Sequence, residues 1–464
     1  MLEHLKPNRV FYYFEQLCAI PHGSGNTKAI SDYCVGIATQ LGLEVTQDEW
    51  NNVLIRKPAA KGYEDHPTVI IQGHLDMVCE KDADCDLDFM KDGLRLQVEG
   101  DWITAKQTTL GGDDGIAVAM ALAVLEDKEL PAPAIEALFT TDEETGMDGA
   151  VGLDCSEIRG RLLLNIDSEE EGVLTVGCAG GARVDVSFPL EEQSGKGKGY
   201  AVDVCGLRGG HSGVEIGTGR YNANNMMGKF LQALGNLTLC EIDGGTKDNA
   251  ITRSCRAVIV TEADVVSAAR QFVKENCNVN DPDFDITVKE VTYQNGYRAE
   301  EVIRFLSTVP CGVTAMSADM EGLVETSLNL GILSMNDGKV QGRFSVRSGI
   351  NAKRDALCDT VMALAEDCGG NAQKGSEYPA WEYRKQSPLQ DTMVTVYRDM
   401  YGEDPQVLTI HAGLECGLFC EKMEGLDAVS FGPTIEEIHT SRERLSISST
   451  SRTFSYLRQI LKEL

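Results

Sequence analysis

The stretch that decides the fold is TVIIQGHLDM, residues 68–77. Its first half is apolar and β-branched, which is typical of a buried strand. His74 and Asp76 follow this run, two residues apart. Residues i and i+2 of an extended segment point to the same side, so Asp76 can reach the imidazole of His74. A polar pair at the end of a buried strand needs a chemical reason.

Strands and helices alternate around this stretch. Helical spacing covers about residues 9–20 and 27–41, and the Ala-rich segment after the two aspartates of 113–114 predicts a buried helix. Further strands are predicted at IEALFT (135–140) and LLLNI (162–166). Such alternation is typical of an α/β domain with a mostly parallel sheet and helices on both faces.

The pattern changes near residue 184, where strands begin to alternate apolar and polar residues, as half-exposed antiparallel strands do. Helices are predicted among them at 221–234, 264–276 and 354–367, and a hairpin at 327–346 with its turn at 336–338. The α/β pattern then resumes with a helix, the strands QVLTIHAGLECG (406–417) and AVSFGPT (428–434), and a closing helix. We therefore predict a catalytic domain of residues 1–183 and 387–464, interrupted by an inserted α+β lid domain of residues 184–386.

Composition limits the class of protein. The chain has 464 residues, with 72 acidic and 42 basic side chains and a net charge of −30. This field repels nucleic acid and anionic lipid, so we exclude both as main partners. No apolar run approaches the roughly 20 residues that span a bilayer, and the N-terminus lacks the pattern of a signal peptide. The 15 cysteines have no repeated spacing, which favours reduced thiols in a cytoplasmic protein.

Polar residues follow the predicted strands of the α/β domain or directly precede its Ala-rich helix. Ligands of open parallel sheets bind at the C-terminal ends of the strands, so these residues are expected at one edge. They are His74 and Asp76, Asp113 and Asp114, Asp142 with Glu143 and Glu144, Asp167, and His439. Each alone is also explained by an ordinary turn, a helix cap or a structural histidine.

A metal cation accounts for all of them together. Clustered carboxylates repel each other and resist losing their water, and a cation relieves both costs. Histidine with Asp or Glu and no thiolate suits catalytic Zn²⁺, or Mn²⁺ or Co²⁺. A carboxylate can bridge two metals about 3.5–4 Å apart. With two histidines, each metal takes one histidine, one carboxylate and a share of the bridging carboxylate.

Several motifs occur in the order and spacing of a known family. The chain resembles the M20 family of metallopeptidases, and more narrowly its aminoacyl-histidine dipeptidase branch (Xaa-His dipeptidase, peptidase D), over nearly its whole length. The family motifs are GHLDMV (73–78), TTLGGDDG (108–115), TDEETGMDGA (141–150), NIDSEEEG (165–172) and GPTIEEIHTSRERL (432–445). The motifs of the branch are GCAGG (177–181), GLRGGHSGVEI (206–216), GGTKDNAI (244–251) and IHAGLECGLF (410–419).

The resemblance implies a centre of two Zn²⁺ per chain, with Co²⁺ or Mn²⁺ as substitutes. His74 and Asp167 would bind one metal, Glu144 and His439 the other, and Asp113 would bridge them.

The resemblance also implies roles for the residues around the metals. Asp76 would orient His74, and Glu143 would be the general base that activates a metal-bound water. Asp114 is the alternative bridge. We prefer Asp113, because the family motif aligns there and because Asp114 suits the helix N-cap.

The resemblance implies substrate contacts as well. His211 would donate to the oxyanion of the reaction, from its own chain or from a partner chain. Arg347 and Asn249 are candidates for binding the C-terminal carboxylate of the substrate. His411 and Glu415 are candidates for binding its free amine or for shaping the pocket.

We therefore predict a cytoplasmic dipeptidase that hydrolyses Xaa-His dipeptides of the carnosine type and other unblocked dipeptides. One alternative is an M20 amidohydrolase, an aminoacylase or a tripeptidase with the same metals and another pocket. An alternative of another class is an inactive, metal-bound interaction protein. The inserted lid also allows a homodimer.

Overall fold

The computed structural model describes residues 1–2, 4–293 and 295–464. It contains two compact units, of which the first comprises Met1–Gly177, Tyr383–Thr409 and Leu414–Leu464 and the second Cys178–Glu382 and Ile410–Gly413. The predicted division after residue 183 falls inside a strand. This strand starts at residue 180 because it pairs along its whole length with the strand of residues 339–348.

The first unit contains an eight-stranded sheet. Its four central strands run parallel, and the strand next to them on each side is antiparallel. In spatial order the strands are Glu44–Gln47, Val53–Lys57, Ile135–Thr140, Val69–His74, Leu162–Asn165, Asp427–Ser430, Val173–Cys178 and Gln406–Ile410. A smaller sheet has the order Ile435–Glu436, Arg444–Ser446, Trp102–Ala105 and Leu96–Glu99.

The apolar run of the opening stretch forms a central strand of this sheet. Every residue of Val69–His74 is buried, as expected for a parallel strand covered on both faces. The predicted Ala-rich helix is Gly112–Glu126, which packs on this strand and is buried from residue 114 to residue 125. The unit's other helices are Asn8–Cys18, Lys28–Leu41, Asp148–Gly152, Pro388–Tyr401, Glu415–Lys422 and Ile447–Glu463, with 3₁₀ turns at Glu143–Thr145 and Cys155–Glu157.

The second unit contains an antiparallel sheet covered by helices. Its main path is Asp285–Val291, Lys198–Cys205, Cys255–Thr261, Thr238–Gly244, Val324–Asn336, Lys339–Ser348, Gly180–Pro189 and Asn371–Tyr378. Shorter strands are Glu192–Ser194, Asn295–Arg298 and Gly312–Met316, and Gly210–His211 pairs separately with Ala250–Ile251. The helices are Ala223–Leu234, Val265–Glu275, Glu300–Thr308 and Asn351–Asp367, with a 3₁₀ turn at Ile216–Thr218.

Two local predictions have different outcomes. The hairpin is confirmed, and its turn residues Asp337 and Gly338 have φ angles of 49° and 70°, which a two-residue type I′ turn requires. The predicted strand of residues 406–417 is wrong in its second half. The strand ends at Ile410, residues 410–413 belong to the second unit, and Glu415 begins a helix.

Candidate metal centre

The first unit brings histidines and carboxylates together at one edge of its larger sheet. His74 is the last residue of its strand and is only 1% exposed. The parallel strands Ile135–Thr140 and Leu162–Asn165 pair with it on either side. Because parallel strands end at the same edge of a sheet, the residues that follow these two strands, Glu144 and Asp167, lie near His74.

Asp113 lies between the two histidines. Nε2 of His74 is 3.1 Å from Oδ1 of Asp113 and 3.6 Å from Oδ1 of Asp167. Nε2 of His439 is 3.2 Å from Oδ2 of Asp113 and 2.9 Å from Oε1 of Glu144. The two oxygens of Asp113 thus face different imidazoles, as the oxygens of a bridging carboxylate do.

Asp76 supports both His74 and the segment that carries Glu144. Its carboxylate accepts the backbone N–H of Glu143 at 3.1 Å, that of Glu144 at 3.3 Å and the hydroxyl of Ser24 at 2.8 Å. Nδ1 of His74 is 3.0 Å from the backbone oxygen of Asp76 and 3.5 Å from its carboxylate. The nearer acceptor is therefore the backbone carbonyl. An acceptor at Nδ1 leaves Nε2 as the ligand atom of the ring.

The carboxylates raise the pKa of both imidazoles. Hydrogen bonds to Asp113 and Glu144 raise the pKa of His439 to about 10. Burial opposes protonation of His74, but hydrogen bonds to Asp113 and Asp167 outweigh it and hold the pKa of His74 well above its usual value. The surroundings therefore favour positive charge at both rings. Two imidazoles and three carboxylates form a donor set that fits divalent cations such as Zn²⁺.

Asp114 is turned into the protein. It is 2% exposed, and its carboxylate accepts the backbone N–H of His74 at 3.2 Å. The backbone at residues 113 and 114 is not helical, and this hydrogen bond ties the Asp114 carboxylate to the strand of His74. Burial holds the pKa of Asp114 well above its usual value. With His74 and Asp167 it forms a second group of potential ligands within 4.8 Å of one another, so it stays the alternative bridge.

Glu143 lies in the short turn that also holds Glu144. Burial, with the negative charges of Asp167 and Glu415, holds the pKa of Glu143 well above its usual value, against the effect of His74. A carboxyl group with a raised pKa can exchange protons near neutral pH, which is a requirement for a general acid–base residue.

Glu415 lies beneath the strand ends and not on a surface. It is 0% exposed, and its Oε2 accepts from Nε2 of Gln72 and from the hydroxyl of Thr140, both at 2.7 Å. Because Glu415 has no exposed surface, the structure does not support the expected contact of its carboxylate with the substrate amine. The contacts instead place Glu415 as a support for the strands of His74 and Thr140.

The burial of Glu415 predicts a pH-dependent stability. Burial raises its pKa from 4.5 to about 7, so the folded protein binds this proton more tightly than the unfolded chain. Its contribution to stability is therefore complete below pH 4.5 and is lost as the pH rises to about 7. Each unit of pKa shift corresponds to about 1.4 kcal/mol.

We expect a Glu415→Gln variant, measured beside the wild type in the presence of chelator, to gain a few kcal/mol in relative unfolding free energy between pH 4.5 and 7. The amide oxygen can still accept from Gln72 and Thr140, so the variant is expected to fold. A stability difference that stays constant across this range would show that Glu415 does not titrate there.

The second unit holds His211 and Asn249 side by side. His211 pairs with Ala250 across a two-stranded sheet, and the carbonyl of Asn249 accepts the backbone N–H of Ser212 at 2.8 Å. Nδ1 of His211 accepts the backbone N–H groups of Gly213 and Val214, both at 3.2 Å. These bonds place the ring proton of neutral His211 on Nε2. Burial, followed by the charge of Arg347, lowers the pKa of His211.

Arg347 and His411 form a neighbouring group in the same unit. Arg347 is 9% exposed, its Nη1 donates to the Tyr378 hydroxyl at 2.9 Å, and its buried Nε has no hydrogen-bond partner among the described residues. It is therefore not an ordinary surface arginine. Its cross-strand partner Ser327 bonds Nε2 of His411 at 2.8 Å. Burial, followed by the charge of Arg347, lowers the pKa of His411 to about 4.

Sequence reasoning missed Glu443. Its carboxylate is 3% exposed and accepts backbone N–H groups from the segment that leads into Asp113. The only signal was its position four residues after His439, which does not indicate a partner so distant along the chain.

The profile of peptidase family M20/M25/M40 matches residues 70–463. The chain belongs to this family. Like its members, it is a hydrolytic metallopeptidase. This M20 peptidase is 35% identical to the cytosol non-specific dipeptidase of Escherichia coli (strain K12), with 100% of the chain and 99% of that protein covered.

Solved structures confirm the α/β fold class of the M20 peptidase. The aminoacylhistidine dipeptidase of Vibrio alginolyticus is 36% identical and has a TM-score of 0.94, with 100% of this chain and 98% of that chain covered. An aminopeptidase PepT from Bacillus cereus shares the fold at 18% identity and a TM-score of 0.60, with 99% of each chain covered. Within the part of the chain that the structure describes, no helix is long and apolar enough to cross a membrane.

Proposed function

We propose that this M20 metallopeptidase hydrolyses unblocked dipeptides, including those with a C-terminal histidine, at a centre of two divalent metals. The observation that carries the proposal is the position of Asp113, whose two oxygens lie 3.1 and 3.2 Å from two different imidazoles. One carboxylate shared in this way is what a dinuclear site needs. The dipeptidase activity of both similar proteins supports the substrate class.

The ligand set divides into two halves. His74 and Asp167 would hold one metal and His439 and Glu144 the other, with Asp113 shared between them. Zn²⁺ is the proposed ion, with Co²⁺ or Mn²⁺ as substitutes, because the donors are nitrogen and oxygen without a thiolate. When bound, two such ions supply Lewis-acid polarisation of the peptide carbonyl and lower the pKa of water.

Glu143 is the proposed proton carrier. Its raised pKa allows it to take a proton from the attacking water and to deliver this proton to the leaving nitrogen of the peptide. Asp76 holds Glu143 in place through the backbone N–H of Glu143, and it fixes the ring of His74. Asp76 thus orients a ligand through its backbone carbonyl and the base through its carboxylate, which is how outer residues adjust a metal site.

The proposed substrate contacts are those that the family resemblance implies. His211 would donate through Nε2 to the oxyanion of the tetrahedral state, because its Nδ1 already accepts two backbone N–H groups. Arg347, with Asn249, would bind the C-terminal carboxylate of the dipeptide, because Nε of Arg347 is buried and has no described partner. His411 would shape the pocket beside Arg347.

A substrate panel tests the proposal. We expect purified, Zn²⁺-loaded enzyme to cleave carnosine and Gly-Gly and to leave a tripeptide and an N-acetylated amino acid nearly intact. Cleavage of only the blocked substrate would establish the aminoacylase alternative, and preferred cleavage of the tripeptide would establish a tripeptidase. An enzyme that binds the metals and cleaves none of the four substrates would contradict the proposed substrate class.

Arg347 provides a specific check on substrate orientation. An Arg347→Met variant is expected to raise KM for Gly-Gly about 10²-fold, because a charge-assisted contact to the carboxylate is lost. The matched control is Arg343→Met on the same strand, where Arg343 pairs with Asp185 at 2.7 Å. If both variants have the KM of the wild type, Arg347 does not bind the substrate carboxylate.

The proposed location is the cytosol, as for the similar dipeptidase of Escherichia coli. The proposed partner is a small peptide, and the net charge of −30 disfavours nucleic acid and anionic membranes. The homodimer stays a prediction, which sedimentation analysis of the purified protein would check.

A further inference from the structure

The carboxylate of Glu443 collects four consecutive backbone N–H groups. Oε2 accepts from Leu110 at 2.7 Å and from Gly111 at 3.2 Å. Oε1 accepts from Gly112 at 2.8 Å and, more weakly, from Asp113 at 3.4 Å. Glu443 is 3% exposed, so these bonds form away from water. An arc of backbone N–H groups around an anion is a strong electrostatic contact when it is buried.

The two glycines of this segment make room for the carboxylate. Gly111 has a φ of +66°, in the left-handed region that glycine adopts most readily. A Cβ atom at Gly112 would lie 3.2 Å from Oε1 of Glu443, which is a tight contact. The sequence LGGD therefore lets the backbone wrap around Glu443 immediately before Asp113.

The other side of Glu443 is tied to the turn that presents His439. Its own N–H donates to the carbonyl of Thr440 at 3.1 Å. The hydroxyl of Thr440 donates to the carbonyl of Glu437 at 2.7 Å and accepts the N–H of Arg442 at 3.1 Å. One compact turn thus carries an imidazole and, four residues later, the carboxylate that binds the segment of the bridging aspartate.

We propose that Glu443 is a positioning residue of the dinuclear centre, which holds the backbone of Asp113 at a fixed distance from the turn of His439. The inference rests on the metal centre of the proposed function. Asp113 and Glu443 are 330 residues apart in sequence, so this contact joins two remote ligand segments. It acts through the backbone of Asp113 and touches neither substrate nor metal.

The two halves of the centre depend on Glu443 to different degrees. His74 ends a fully buried strand, and its side chain is 1% exposed. His439 lies in a turn, and its side chain is 45% exposed. The strand and the contact with Asp76 hold His74 independently of Glu443. His439 is placed by its turn and by the contact of that turn with residues 110–113. Loss of the contact therefore weakens the half that contains His439 and Glu144.

Metal titration of a Glu443→Gln variant tests the proposal. Chelator-stripped enzyme is titrated with Co²⁺ and with Zn²⁺, and binding is followed by calorimetry and by the visible spectrum of Co²⁺. We expect the affinity for the first equivalent of metal to stay within about threefold of the wild-type value. The affinity for the second equivalent is expected to fall about 10–100-fold below the wild-type value, the usual range for residues that support metal ligands. Two equivalents bound with the affinities of the wild type would overturn the proposal.

Two further variants keep this test decisive. Glu136→Gln is the matched control, because Glu136 is also buried and accepts the backbone N–H groups of Arg159 at 2.9 Å and Gly160 at 2.8 Å, away from the metal ligands. It is expected to bind both metals like the wild type, and equal weakening in both variants would overturn the specific role. If Glu443→Gln does not fold, Gly112→Ala probes the same contact, and unchanged binding of the second metal in it would overturn the proposal.

This test is independent of the substrate. If the wild type binds two metals but cleaves no dipeptide, the proposed function fails while the role of Glu443 stands. If the wild type cleaves dipeptides and Glu443→Gln binds both metals normally, only the role of Glu443 fails.

Discussion

A Glu143→Gln variant is expected to lose about three orders of magnitude in kcat while it keeps its metals and its KM. Removing a positioned general base costs typically 10²- to 10⁴-fold in rate. The amide is close in size to the carboxyl group and donates and accepts hydrogen bonds, but it cannot take up a proton at neutral pH. Steady-state kinetics on Gly-Gly, with the metal content of the same samples, would measure the loss.

The neighbouring Asp142 offers a matched control for this experiment. Its carboxylate accepts the backbone N–H of Gly25 at 2.6 Å, and its φ of 56° is one that asparagine tolerates well. Asp142→Asn is expected to retain kcat within about threefold. A Glu143→Gln variant with the kcat of the wild type would mean that another group transfers the proton.

An Asp113→Asn variant is expected to lose the capacity for two metals. An amide offers a metal only one good oxygen, so it cannot bind one metal with each oxygen as Asp113 is proposed to do. We expect at most one equivalent of Zn²⁺ per chain after dialysis against a weak chelator, and kcat below one hundredth of the wild-type value. Added metal should also raise the melting temperature less than in the wild type, because ligand binding to the folded state stabilises it by mass action.

Asp114→Asn decides between the two adjacent aspartates. Asparagine at this position can still accept the backbone N–H of His74 and is uncharged in its buried site. It is therefore expected to keep both metals. The reverse result, with two metals in Asp113→Asn and fewer in Asp114→Asn, would make Asp114 the bridge.

The helices and strands were largely accessible from the sequence because local patterns encode them. The helix predicted at 221–234 is Ala223–Leu234, and its start follows from Asn222, whose side chain accepts from the next turn of backbone. The hairpin is specified by Asp337 and Gly338, which adopt the φ values that its turn requires. The strand of residues 406–417 was predicted too long, since no local pattern shows where the chain passes from one compact unit to the other.

By itself, the sequence determined the chemical types at the metal centre and the sheet edge where they gather. His74 ends an apolar strand, Glu144 and Asp167 follow two others, and parallel strands end together. Only the tertiary structure decided that the oxygens of Asp113 face different histidines, that Glu415 is buried, and that Glu443 binds the backbone before Asp113. These features depend on contacts between segments remote along the chain and on side-chain directions in irregular backbone, and hydrophobic periodicity carries no information about either.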